Sequence, residues 1–117
     1  MNLLRRLFWR GSVRNEVLSL YKRGMACAQK KDAKGALEAY TSAIERPSAP
    51  DDLKAMALYN RAIIFAAGGN TVTALNDLQA ILQMAIPMSG VKLAARRRLE
   101  RLQHRRDTAV QPMRRSS

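Results

Sequence analysis

The stretch LYKRG at residues 20–24 returns as LYNRA at residues 58–62, a shift of 38 positions. Self-similarity at a period of a few tens of residues is typical of stacked supersecondary units. The chain therefore divides into two copies of one unit, at about 17–50 and 55–88. The repeated word belongs to the first helix of each copy.

Each unit is predicted to hold two helices. Alanine and leucine, both strong helix formers, are plentiful, while only 5% of the chain is aromatic and strand-type runs of Val, Ile and Thr are absent. In the first unit Asp32 can cap a helix whose apolar residues recur at helical spacing until Pro47 stops it. In the second unit, Gly68 and Gly69 turn the chain, with Asn70 or Thr71 as the cap.

Small residues recur 12 positions apart in both units: Gly24 and Ala36, then Ala62 and Ala74. Two antiparallel helices approach closely only where one side chain is nearly absent. A large neighbour, Tyr40 in one unit and Leu78 in the other, then fills the space beside the crossing. The five-residue segment is therefore expected to repeat because the first helix of each unit needs a small residue where it contacts the second helix.

This order of small and large positions, closed by a proline, resembles the tetratricopeptide repeat. The first unit supplies Gly24, Ala36, Tyr40, Ala43 and Pro47, and the second supplies Ala62, Ala74, Leu78, Ile81 and Pro87. The period of 38 exceeds the usual length of about 34. Because the 12-residue spacing is kept, the extra residues fall in the connection between the units. Arg23 and Arg61 stand where the family has leucine.

The resemblance implies an all-α fold, an α-solenoid fragment of two helical hairpins with a C-terminal cap helix. The cap helix is expected at about 89–108, where one apolar stripe runs through an arginine-rich segment. The domain would span 13–108, after a basic amphipathic segment at 1–12 and before a disordered basic tail at 109–117. Two repeats are fewer than the usual minimum of about three. The cap helix or a homodimer would therefore cover the end of the stack.

The composition argues against an enzyme or a metal protein. Cys27 is the only cysteine and His104 the only histidine, which is too few for a disulfide or for the about four ligands of zinc. Cys27 is expected to pack as a structural thiol. No phosphate loop or carboxylate pair in a plausible cleft occurs, and no apolar run approaches the about 18 residues of a membrane span. We therefore expect a cytoplasmic protein without catalytic activity or cofactor.

Repeats of this family bind a peptide or a helix of a partner protein in the concave groove lined by their first helices. Carried over to this chain, the groove residues are Leu18, Tyr21, Met25, Met56, Tyr59, Asn60 and Ile63. The function implied is that of an adaptor or co-chaperone-like scaffold. The alternative for these positions is packing against the N-terminal segment or the cap helix.

Some family members grip a free C-terminal carboxylate with an Asn in the second repeat and a Lys and an Arg four residues apart in the next helix. Asn60, Lys92 and Arg96 match those positions. Tyr21 and Met25 replace the Lys and Asn expected in the first repeat, so the clamp is only partly present.

The net charge of +12 is concentrated at the two ends. Residues 92–117 hold nine basic and two acidic side chains. The resulting candidate contacts to RNA, the ribosome or an anionic membrane are Lys92, Arg96, Arg97, Arg101 and Arg105. The alternative is a solvated face on a capping helix.

The first 14 residues hold four arginines and no acid. As a helix, this segment would place Leu3, Leu4, Leu7 and Phe8 on one side, which is typical of an interfacial anchor or a targeting segment. The alternative is that it folds back into the groove of its own domain or of a neighbour.

Overall fold

A computed structural model describes residues 2–115 of the chain, with side chains for residues 2–109. In that range the protein consists of helices and connections without a strand, so the predicted all-α class is confirmed. The helices are α1 Leu3–Gln29, α2 Ala33–Glu45, α3 Asp51–Ala67, α4 Thr71–Gln83 and α5 Gly90–Arg115.

The helix starts follow from the residues that precede them. Asp32 caps α2, since its carboxylate accepts a hydrogen bond from the backbone N–H of Gly35 at 3.0 Å. Asp51 and Asp52 lie in the first turn of α3, where acidic side chains interact favourably with the helix dipole. Gly69, at φ 87°, makes the turn before α4. Asn70 is the N-cap residue of α4, but its side chain makes no capping hydrogen bond.

Each helix packs against the next one in the chain, and α3 also contacts α1 and α5. The first and third helices run side by side in register with the sequence repeat. Arg14 pairs with Asp52 at 2.8 Å, and the Asn60 amide donates to the Tyr21 hydroxyl at 3.1 Å. These contacts join residues 38 and 39 positions apart. One buried cluster lies among α1, α2 and α3, and the other among α3, α4 and α5.

The four small residues that the sequence singles out are all buried: Gly24, Ala36, Ala62 and Ala74. At Gly24 the closest neighbour is the aromatic ring of Tyr40, which occupies the place of a side chain. In the second unit Ala62 carries a methyl group, and Leu78 stands where the first unit has Tyr40. Small and large residues therefore vary together between the two units.

The N-terminal segment is not a separate element. It forms the first turns of α1, which is one helix of 27 residues, so the structure has no boundary at residue 12. Its leucines and Phe8 are exposed, and the segment does not fold back into the groove of its own domain. A helix that has already formed is extended at little cost, because nucleation is its expensive step.

The helix α5 continues to Arg115, seven residues beyond the predicted end at 108. The structure is helical over 109–115, where the sequence predicts a disordered tail, and no Gly or Pro between Gly90 and Pro112 ends the helix earlier. The last two residues of that tail, 116–117, lie outside the described residues. Within the part of the chain that is described, no helix has the length and apolar character needed to cross a membrane.

Candidate protein-binding groove

The predicted groove residues lie on the face shared by α1, α3 and α5, but they differ in burial and in the contacts that they make. Tyr21 is buried, and Leu18 is half-buried against the first cluster. Met25, Asn60 and Ile63 line one open hollow, and Met56 lines another. Tyr59 lies beneath an arginine of α5. The face is therefore an interrupted surface with two openings.

Asn60 holds α1, α2 and α3 together at the base of this face. Its side-chain amide donates to the hydroxyl of Tyr21 at 3.1 Å and to that of Tyr40 at 3.4 Å. The two tyrosine rings pack with their centroids 5.9 Å apart. Burial raises the pKa of Tyr40 above its ordinary value, and the hydrogen bond from Asn60 opposes that shift. Tyr21 and Asn60 thus support the groove from beneath.

The first opening, here called the central hollow, lies between α1 and α3 and has a volume of about 250 Å³. Its walls combine apolar side chains with three polar ones: Met25, Ala28, Gln29, Tyr40, Asn60, Ile63 and Ile64. Methionine adapts its shape to a partner, so Met25 suits a surface that accepts an inserted side chain.

The second opening, here called the lateral hollow, lies between α3 and the connection from α4 to α5, with a volume of about 480 Å³. Its walls are mainly apolar: Asp52, Met56, Ile86, Pro87, Ser89 and Val91. Met56 is among the exposed large hydrophobic residues of the chain. Of the residues lining this hollow, Met56 alone belongs to the groove predicted from the sequence, because the pattern of the connection before α5 indicates only the end of the repeat.

Arg98 of α5 lies over the ring of Tyr59, and Tyr59 stands between Met56 and Ile63 in the sequence of α3. Its guanidinium carbon lies 5.8 Å from the centre of the Tyr59 ring, and its Nε donates to the Tyr59 hydroxyl at 3.3 Å. No carboxylate among the described residues lies within 4.0 Å of Arg98. The sequence held a signal for this pair, since Arg98 follows Tyr59 by 39 positions and Asn60 follows Tyr21 by the same number.

The structure does not assemble the carboxylate clamp. The Asn60 amide is engaged with the two tyrosines, and the Lys92 ammonium donates to the backbone carbonyls of Met84 at 3.0 Å and Ile86 at 3.1 Å. Lys92 thus satisfies carbonyls at and just beyond the end of α4, a common role for a lysine near a helix C-terminus. Of the three matched positions, only Arg96 is left exposed.

The remaining predicted basic residues form an exposed face on α5. Arg97, Arg101, His104 and Arg105 line one side of this helix together with Glu100. Within residues 2–109, none of Arg96, Arg97, Arg101 and Arg105 has a carboxylate within 4.0 Å. This face carries a net positive charge, and Glu100 forms no salt bridge with its arginines.

Arg61, which stands where the tetratricopeptide pattern has leucine, forms a buried ion pair in this structure. It donates two hydrogen bonds to Asp77, at 2.9 and 2.8 Å, and a third to Thr41 at 3.1 Å. The hydrogen bonds to Asp77 raise the pKa of Arg61. Asp77 is the buried charged residue of the described core, and the pair joins α3 to α4. In the first unit Ala39 stands in the place of Asp77, and Arg23 is exposed.

Comparison of this chain with protein-family models, curated proteins and solved structures gave no match. The resemblance to tetratricopeptide repeats therefore stays a prediction that rests on the residue pattern.

Proposed function

We propose that this protein is a non-catalytic interaction module of the tetratricopeptide type, which binds a partner helix or peptide along the face formed by α1, α3 and α5. The observation that carries the proposal is the pair of largely apolar hollows on this face, one lined by Met56 and the other by Ile63. A cytoplasmic location and an adaptor role belong to the same proposal.

The distance between the two hollows indicates how the apolar residues of a partner helix should be spaced. Met56 and Ile63 are seven residues apart on α3, which corresponds to about 10 Å along the helix axis. An amphipathic helix places side chains of this separation on one face, two turns apart. Two large apolar residues would fill the hollows, since buried apolar side chains and aromatic anchors dominate such interfaces.

The positive charge of Arg98 further restricts the kind of partner that the groove can bind. Arg98 has its guanidinium stacked on Tyr59 and no carboxylate partner among residues 2–109. An acidic side chain between the two apolar anchors would form a charge-assisted hydrogen bond with it. The proposed ligand is therefore a helix with two apolar residues seven positions apart and an Asp or Glu between them.

A peptide-display selection on the full chain tests this proposal. Enriched peptides are expected to carry the two apolar residues and the intervening acid, and to lose binding to the variants Met56→Asp and Ile63→Asp. Val72→Asp is the matched control, because Val72 is an exposed apolar residue on α4, outside the groove. Selected peptides that bind all three variants equally would refute the proposal.

RNA binding through α5 is a second candidate function, favoured by the exposed Arg97, Arg101 and Arg105, which have no carboxylate within 4.0 Å among residues 2–109. Binding of a single-stranded RNA should then weaken steeply with salt, because phosphate contacts release counterions. Replacement of Arg97, Arg101 and Arg105 with Gln should flatten that salt dependence. A salt titration of RNA binding that is the same for the wild type and the triple variant would exclude this function.

A further inference from the structure

The first turns of α1 extend beyond the rest of the protein. The contact between Arg14 and Asp52 fixes where α3 begins relative to α1, and Val13 is the first buried residue of α1. Residues 3–12 therefore project as about 15 Å of helix past the hairpins. We call these residues the α1 overhang.

The α1 overhang carries a concentrated apolar face. Leu3, Leu4, Leu7 and Phe8 are exposed to 70%, 71%, 55% and 82% of their surface. Their spacing places them on one side of the helix. A contiguous exposed face of large apolar side chains marks an interaction site.

The same overhang is strongly basic. Arg5, Arg6 and Arg10 are exposed, and the first acidic residue of the chain is Glu16. No carboxylate among the described residues lies within 4.0 Å of these three arginines. Guanidinium groups bind phosphate and carboxylate oxygens well, so the overhang combines an apolar face with groups that attract anions.

We propose that the α1 overhang binds the surface of an anionic membrane, with its leucines and Phe8 inserted among the acyl chains and its arginines at the lipid phosphates. An amphipathic helix with this composition lies in the plane of the interface. A second copy of the chain is a poorer occupant, because pairing two overhangs would bring six arginines together. RNA is also a poorer occupant, because it would leave the apolar face uncovered.

Because α1 is one continuous helix, the overhang and the groove belong to the same rod. Membrane binding would hold the groove close to the lipid surface without a flexible linker. The inference does not depend on the identity of the groove's partner.

Co-sedimentation of the full chain with vesicles tests the inference. Binding to phosphatidylcholine vesicles that contain phosphatidylserine is expected, with much weaker binding to phosphatidylcholine alone. Phe8→Glu should abolish sedimentation, and Val72→Glu, an equally charged change at an exposed apolar residue of α4, should leave it unchanged. Because Phe8 is largely exposed, circular dichroism should show that both variants keep their helical fold.

A charge-matched pair of variants separates specific binding from general attraction. Replacing Arg5, Arg6 and Arg10 with Gln should weaken binding roughly a hundred-fold, because each arginine near an anionic surface contributes roughly a five-fold gain. The same replacement at Arg97, Arg101 and Arg105 lowers the net charge equally and should have a much smaller effect. Equal losses in both triple variants would overturn the inference, as would concentration-dependent dimerisation that Phe8→Glu abolishes.

Discussion

The close contact at Gly24 provides a direct test of how the two hairpins are built. A Cβ atom at this position would lie within 3.0 Å of three atoms of the Tyr40 ring. The ring has little freedom to move, because Tyr40 is 1% exposed, packs against Tyr21 and has its hydroxyl hydrogen-bonded to Asn60. The substitution Gly24→Ala should therefore overpack the core of the first unit.

The size of the effect follows from two opposing contributions. Overpacking a core costs about 1–3 kcal/mol, and the three short contacts favour the upper value. Replacing a helical Gly with Ala also raises the free energy of unfolding by about 1 kcal/mol, because Ala has the higher helix propensity. The expected net change for Gly24→Ala is a loss of about 2 kcal/mol in the free energy of unfolding. Gly11→Ala, in the same helix with no atom near its added Cβ, should instead gain up to about 1 kcal/mol.

Urea unfolding followed by circular dichroism measures both changes. Introducing Tyr40→Leu into the Gly24→Ala variant recreates the Ala62 and Leu78 pair of the second unit, so the two substitutions together should cost less than the sum of their separate effects. If Gly24→Ala stabilises the protein as Gly11→Ala does, close helix contact does not explain why LYKRG and LYNRA both end in a small residue.

Three further predictions concern the polar contacts. Asp77→Ala leaves the half-buried Arg61 without its carboxylate, so urea unfolding should show a loss of about 3 kcal/mol in the free energy of unfolding. The double variant Arg61→Met with Asp77→Leu should largely restore that stability, because it removes both buried charges. A double variant as unstable as Asp77→Ala would contradict this prediction. Because burial raises the pKa of Tyr40 above its ordinary value of 10.0, the folded state keeps a proton that the unfolded state loses, so stability should fall as the pH rises beyond that value. A pH series of unfolding measurements should show a smaller fall for Tyr40→Phe, and an identical fall would refute the assignment. Arg14→Gln should change stability little, because its pair with Asp52 is exposed. The hydrogen bond from Arg14 lowers the pKa of Asp52, so the small stabilisation it gives should vanish as the pH drops through that lowered pKa, below the ordinary 3.8, and a large effect at neutral pH would count against this view.

Local patterns in the sequence were enough to predict the helical hairpins. The repeated spacing of small and large residues indicated positions that are buried in the structure, and Asp32 and Gly69 marked two of the turns. These signals act over a few residues, through propensity, capping and one helix face, so they can be read along the chain.

The groove was harder to predict, because its residues have partners outside their own helices. Asn60 and Lys92 matched the positions of a ligand clamp, yet both donate hydrogen bonds within the protein. The lateral hollow depends on Ile86 and Pro87, which lie in a connection whose course depends on how α5 packs.

The sequence by itself determined the helical class, the two-unit repeat and the basic, apolar composition of the first turns, because those properties depend on residue type and spacing. The tertiary structure decided which polar groups are already satisfied, where the hollows open, and that the first turns project from α1 as part of one helix. Hydrogen-bond partners and exposure depend on which groups the fold brings together from different elements, up to 39 residues apart, and the pattern along one helix does not contain that information.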